Sequence, residues 1–254
     1  WHKVLHDLGY VKTDEPFAAL RNQGMILASD GRKMSKRWGN VINPDDMVHQ
    51  FGADTMRIYE MFMGPFEASQ PWSVDGMVGS RRFVERVWRI GETLSPETST
   101  DVLKSLHKTI KKVTDDIVNF NFNTAVSAMM ILINEIEKQG NQISTTDYKK
   151  FLQILAPFAP HITEEIWQGY LGETDSIHLA PWPEYDERLI VENTITLGIQ
   201  INGKVRGEIE IEKNLDENSV REQVLALPEI QKWVENEKIK KFIYIPEKVI
   251  SIVV

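Results

Sequence analysis

Cysteine is missing from all 254 residues. Its absence excludes a disulfide framework and any thiolate metal centre, and it suits a reducing compartment. Long apolar runs are missing too. Nothing approaches the roughly 18 to 20 consecutive residues needed to span a bilayer, and no signal-peptide pattern opens the chain. The expectation is a cytoplasmic protein with no membrane contact. Positive charge is in short supply, with 29 Lys and Arg against 37 Asp and Glu and a net charge of -8. That balance excludes generic coating of nucleic acid, so any RNA contact has to be a local patch. The string G-x-x-x-x-G-K-S/T does not occur, which removes P-loop nucleotide sites. The length is enough for two or three small globular units. The opening Trp1-His2-Lys3-Val4-Leu5 reads like the middle of an amphipathic segment and lacks an initiator methionine, so a fragment of something longer is expected.

What is present divides along the chain. A short helix and a turn fill residues 1–21, and the apolar Met25-Ile26-Leu27-Ala28 before Ser29-Asp30-Gly31 predicts a strand. Asn43-Pro44-Asp45-Asp46 predicts a helix start, with an N-cap acceptor, proline at the first helical position and acids at the positive end of the dipole. Gly52 ends that helix, and another runs from Ala53 to Met63 before Gly64-Pro65. Residues 74–170 are helical by periodicity. Val126, Met129, Met130, Ile133 and Ile136 make one buried stripe, for which packing is the reading. Arg82, Arg86 and Arg89 share one helical face and Lys104, Lys108 and Lys111 another. A solvated surface and a phosphate-contacting surface would both produce such rows.

Residues 172–191, containing Ala180-Pro181-Trp182-Pro183, read as a linker, and beyond them the period changes to two. Ile195, Leu197, Ile199 and Ile201 form one apolar row and Val205, Gly207, Ile209 and Ile211 the next. A two-residue Asn202-Gly203 loop would put those rows on opposite faces. Parity therefore predicts a three-residue loop with Gly203 left-handed in a bulge and Ile199 opposite Val205. A helix from about Ser219 and two strands, 242–245 and 249–253, complete a small α/β unit.

The densest chemistry lies at residues 31–39, where Arg32, Lys33, Lys36 and Arg37 crowd between Gly31 and Gly39. Flexible backbone and paired ammonium groups suit closure over a polyphosphate and offsetting charge on a departing pyrophosphate. Lysine delivers a point charge without the fixed fork of arginine, which suits a moving loop. A solvated or nonspecific RNA-touching loop has the same composition. His2 and His6 stand at i, i+4 with no third ligand nearby, so no metal site is expected.

Residue order narrows this. Lys33-Met34-Ser35-Lys36-Arg37 resembles the Lys-Met-Ser-Lys-Ser signature of class I aminoacyl-tRNA synthetases, with Arg37 in place of the final serine. The Gly-Asn-Val-Ile-x-Pro string at 39–44, Phe-Gly-Ala-Asp-x-x-Arg at 51–57 and Ala-Pro-Phe-Ala-Pro-His at 156–161 are similar to the leucine, isoleucine and valine branch. The opening residues, Gln200-Ile201-Asn202-Gly203-Lys204-Val205-Arg206 and residues 250–254 resemble the bacterial leucyl-tRNA synthetases in particular. Those enzymes often carry an extra small domain just before the signature, for which residues 26–32 leave no room.

The resemblance implies a multidomain, mainly α protein with a small α/β C-terminal domain. Residues 1–73 would end a Rossmann-type class I catalytic domain, 74–171 form a helical anticodon-binding bundle, 172–191 link, and 192–254 form the tail. It implies a piece of a leucine-tRNA ligase, or alternatively of an isoleucine or valine ligase; a noncatalytic tRNA-binding module is the reading outside the enzyme class. ATP with Mg2+, leucine and tRNA(Leu) would be the intact enzyme's substrates, and a monomer is expected. Lys36 and Lys33 would be catalytic, with Lys33, Met34, Ser35, Lys36 and Arg37 forming the nucleotide-contacting loop and Met34 anchoring it. Arg82, Arg86, Lys104, Lys108, Lys204 and Arg206 are the implied tRNA-phosphate contacts. No His-x-Gly-His string is present, so this segment alone is not expected to charge tRNA.

Overall fold

The computed structural model describes residues 1–191, 194–213, 215–234, 239–246 and 248–254. They fall into two units, Trp1–Ile190 and Val191–Val254. The first opens with helix α1 (His2–Asp7), then strand β1 (Ile26–Leu27), helix α2 (Pro44–Phe51), helix α3 (Ala53–Phe62) and strand β2 (Gln70–Pro71). β1 and β2 pair in parallel, Ile26 with Gln70 and Leu27 with Pro71. The predicted start of α2 is as its residues dictate: Asn43 Oδ1 accepts from the Asp45 N–H at 3.2 Å, and Pro44 opens the helix.

The bundle follows as α4 (Val74–Gly91), α5 (Thr100–Val118), α6 (Phe122–Lys138), α7 (Thr145–Leu155) and the short α8 (Pro160–Glu165). Serine starts three of them. Ser73, Ser99 and Ser144 each turn Oγ onto a first-turn N–H, supplying an acceptor that the helix lacks. The apolar rows then meet. Val102, Leu106, Ile110 and Val113 of α5 and Val126, Met129, Leu132, Ile133 and Ile136 of α6 are fully buried in one core. Met130, expected in that stripe, is only partly buried, and Leu132 supplies the missing contact. The Tyr148 hydroxyl donates to the Val87 carbonyl at 2.6 Å, satisfying the one polar atom on a fully buried ring. No helix among the described residues is long and apolar enough to cross a membrane.

Residues 172–190 do not hang free between units. They lie along the bundle, ending in helix α9 (Glu187–Ile190), and are fixed by side chains. The Trp182 indole donates to Thr114 Oγ1 at 2.8 Å, Gln153 donates to the Pro181 carbonyl at 3.1 Å, and the Asp186 N–H donates to His107 Nδ1 at 2.8 Å. His107 is buried, which pushes its pKa below the ordinary value.

The second unit holds β3 (Thr194–Ile201), β4 (Lys204–Glu212), helices α10 (Glu217–Ala226) and α11 (Pro228–Val234), β5 (Lys241–Ile245) and β6 (Val249–Val253). The sheet order is β4-β3-β6-β5, with β3 and β6 parallel and the outer pairs antiparallel. Leu197, Ile199, Ile201, Ile209, Ile211, Ile250 and Ile252 share a core with Val220, Val224 and Ile230 of the helices.

The β3–β4 turn corrects the predicted hairpin. Asn202-Gly203 is a two-residue turn with φ of 47° and 78°, and Ile201 does face Lys204. Parity is restored one step later instead. Gln200 faces Val205 but Ile199 faces Gly207, so Arg206 is the extra residue of a bulge. Val205 is thereby left 61% exposed, while Leu197 with Ile209 and Ile195 with Ile211 keep one apolar face. Gly207 occupies an apolar-row position because α11 comes close: a Cβ there would meet Glu229 Oε1 at 3.1 Å and Ile230 Cδ1 at 3.2 Å.

Two outcomes are expected. Gly203→Val places a β-branched residue at positive φ and should destabilise the second unit by about 1–3 kcal/mol, whereas Gly198→Ala meets nothing within 4 Å and has no positive φ, so it should be neutral. Hydrogen exchange of β3 and β4 amides measures both; equal protection in the two variants would contradict the turn assignment. His107 takes a proton less readily folded than unfolded, so stability should fall as pH drops below about 6.5, where the unfolded chain gains the proton first. Thermal melts from pH 7 to 5 should show that slope reduced in His107→Gln; an identical slope would remove His107 as its source.

Candidate functional site

The basic loop is built on a short hairpin. Lys33 bridges back to Leu27, the Ala28 N–H donates to the Arg32 carbonyl at 2.8 Å, and Gly31, with φ of 77°, takes the turn. At the tip Asp30 gathers Arg32, accepting from its backbone N–H at 3.0 Å and its Nε at 2.8 Å. The Arg32 guanidinium holds the Asp30 carboxyl below the usual carboxylate range.

Beyond Lys33 the chain turns through a single 3-10 turn, Lys36–Trp38, which ends at left-handed Gly39. Ser35 is its cap, with Oγ accepting from the Arg37 N–H at 3.1 Å. Asn40 clips the two limbs together: its Oδ1 accepts from the Ser35 N–H at 2.9 Å and its Nδ2 donates to the Lys33 carbonyl at 3.4 Å. Met34 is half-buried against the small core of Met56, Tyr59, Trp72 and Met77. Lys33 and Lys36 are exposed, and among the described residues neither ammonium has an ion-pair or hydrogen-bond partner. Arg32 and Arg37 differ, since both guanidinium groups lie over the Trp38 ring.

Beyond α2, α3 is fastened to the head of α8. Asp54 is 8% exposed and accepts from the Ile162 N–H at 2.6 Å and the His161 N–H at 3.3 Å, with His161 Nδ1 2.7 Å away. Arg57, one turn on, donates to the Pro157 carbonyl at 2.8 Å and the Phe158 carbonyl at 3.3 Å. α8 has no capping side chain of its own, so Asp54 supplies the acceptor for its free N–H groups. Sequence reasoning quoted both strings without seeing that they meet. The acid inside an apolar helix start was the available signal.

A cavity of about 870 Å³ adjoins this clasp, with Arg81, Arg89 and His161 around Phe51, Trp88 and Ile162. None of its lining belongs to the basic loop. The lysines sit at open surface. His2 and His6 turn to different partners, His2 to the Thr13 carbonyl at 2.8 Å and His6 to Asp14 at 3.3 Å. Among the described residues no group of three or more His, Asp or Glu side chains is placed to hold a metal ion.

The basic rows on the bundle separate by environment. Arg82 is exposed on α4, as are Lys104 and Lys108 on α5. Arg86 is committed inside the protein: Nε and Nη2 reach the Glu137 carboxylate at 2.9 and 2.7 Å, and Nη2 also reaches Asn134 Oδ1 at 2.6 Å. This fork ties α4 to α6 and holds Glu137 below the usual carboxylate range. Arg86 thus already has a carboxylate partner on α6. Lys111, in the same row as Lys104 and Lys108, lies over Tyr185 at 4.8 Å and donates to its hydroxyl. In the second unit Lys204 and Arg206 are both exposed on β4, with the Arg206 guanidinium 4.0 Å above the Trp233 ring.

Removing the clasp tests its role. Asp54→Ala leaves the His161 and Ile162 N–H groups at the head of α8 without this acceptor and should cost about 1–2 kcal/mol; Asp54→Asn keeps one acceptor oxygen and should cost less. Urea unfolding resolves the difference, and an unshifted midpoint for the alanine variant would show the clasp to be dispensable.

Two family models match the chain. Residues 6–69 match the family model of class I tRNA synthetases (I, L, M and V), and residues 100–222 match the anticodon-binding domain of tRNA ligases. Among solved structures the chain is similar to a LeuRS from Agrobacterium radiobacter in a ternary complex with tRNA and LeuAMS, at 37% identity and a TM-score of 0.73. The match covers 99% of this chain and 35% of that one.

Proposed function

The chain belongs to the class I tRNA synthetases, and from that premise we propose that it serves as the C-terminal part of a leucine-tRNA ligase. The parent reaction joins leucine to ATP, giving leucyl adenylate and pyrophosphate, and then moves the leucyl group to the 3′ end of tRNA(Leu). One observation carries the reading: two exposed ammonium groups, Lys33 and Lys36, unpaired among the described residues, stand on a loop whose root is fixed by Met34 and Asn40.

The chemistry follows from charge. A leucine carboxylate oxygen attacks the α-phosphorus, the bond to the β-phosphate oxygen breaks, and negative charge grows on the departing pyrophosphate. Lys36 offsets that charge with Lys33 beside it, and because the charge is greatest as the bond breaks, the contact favours the transition state over bound ATP. Ser35 and Arg37 shape the turn that carries Lys36. Magnesium enters with ATP as part of the substrate.

The remaining parts serve tRNA. Residues 1–73 act as the end of the catalytic domain, 74–171 as the tRNA-docking bundle, 172–191 as the connection and 192–254 as a second tRNA-binding domain. Arg82, Lys104, Lys108, Lys204 and Arg206 are the phosphate contacts we assign, and Arg86 serves the bundle. The enzyme is read as a cytoplasmic monomer.

In the full-length ligase Lys36→Ala should slow leucine-dependent ATP–pyrophosphate exchange by about 10²-fold, the order of one lost transition-state contact, with folding unchanged. An unchanged rate would defeat the assignment of the loop. Charging assays with leucine, isoleucine and valine separate the three ligases, and preference for either of the latter would overturn the leucine reading.

A further inference from the structure

Four cations share the loop, yet the structure treats them in two ways. Arg32 is held by Asp30 through Nε at 2.8 Å and Nη2 at 2.5 Å, and its guanidinium carbon stands 4.9 Å from the centre of the Trp38 ring. Arg37 reaches the same ring at 5.4 Å. The indole is 55% exposed, so apolar burial does not account for its place, and the groups it holds are charged. Tryptophan offers a cation the most favourable aromatic face.

The position of this contact matters. Arg32 enters the loop and Trp38 leaves it, so the stack closes the loop across its base, next to the Asn40 clip. Lys36 and Trp38 are the first and last residues of one 3-10 turn. Fixing the ring therefore fixes the orientation of the turn and the direction in which Lys36 leaves it.

We propose that Trp38 is a positioning residue: stacked by Arg32 and Arg37, it clamps the loop base and aims the Lys36 ammonium, so the arginines act as structure and the lysines as chemistry. This rests on the reading of the loop as one that offsets pyrophosphate charge. The acidic protein thus spends two of its loop cations on holding the other two in place. An exposed tryptophan that merely packs against other protein would act without regard to Lys36.

The test is leucine-dependent ATP–pyrophosphate exchange in the full-length ligase with Trp38→Leu, Trp38→Phe, Lys36→Ala and the Trp38→Leu, Lys36→Ala double variant. Trp38→Leu should lower kcat/KM for ATP by about tenfold, the order of two exposed cation–π contacts. Trp38→Phe, which keeps an aromatic face, should recover most of it. On the Lys36→Ala background Trp38→Leu should make no further difference, because its effect passes through the missing amine. A slowed Lys36→Ala with an unchanged Trp38→Leu overturns the clamp and leaves the loop reading standing. An equal loss on both backgrounds also overturns it, while an unchanged Lys36→Ala removes the loop reading and the clamp with it.

Discussion

One buried carboxylate joins the two halves of the first unit. Asp54 is placed by the first turn of α3, and from there it receives two backbone N–H groups and the imidazole of His161 at the head of α8. An α-helix start buried without acceptors is costly, and α8 supplies none. The short segment carrying the basic loop is therefore not free to drift relative to the bundle: α3 is fastened through Asp54 and Arg57, and Met34 is seated against Met56 and Tyr59 of that same helix. A chain of contacts runs from the bundle through α3 to the root of the loop.

That chain gives the lysines their meaning. An ammonium already paired with a carboxylate has less to offer a ligand, and several cations here are so paired. Arg86 belongs to Glu137, Arg81 to Glu85, Lys112 to Asp116 and Arg188 to Asp186. Lys33 and Lys36 have no such partner among the described residues, and they stand on a loop where Asp30 and Trp38 engage the arginines. The separation of roles within one basic string is what makes it more than a solvated turn.

Much of this was legible in the sequence. The Asn43 and Pro44 helix start, most of the α6 core row and the change to strand period near residue 195 all follow from local rules that packing does not override. The hairpin was harder, because parity constrains the sum of turn and strand irregularities and does not say where the odd residue falls; it falls at Arg206. The partners of Arg86 were hidden for a related reason. Spacing on one helix puts it in a row with Arg82, but its partners Glu137 and Asn134 lie some fifty residues on in sequence, on another helix. Asp54 and His161 were visible as residues, and their contact was not, since nothing local joins α3 to α8.

The central claim is that charge on the loop lysines is delivered to a breaking phosphate bond. A crystal structure of the intact ligase with a non-hydrolysable leucyl-adenylate mimic and pyrophosphate tests it most directly. The Lys36 Nζ is expected within hydrogen-bonding distance, about 2.7–3.2 Å, of a pyrophosphate oxygen, with Lys33 alongside. Both amines turned to bulk water, with pyrophosphate bound and the loop ordered, would contradict it.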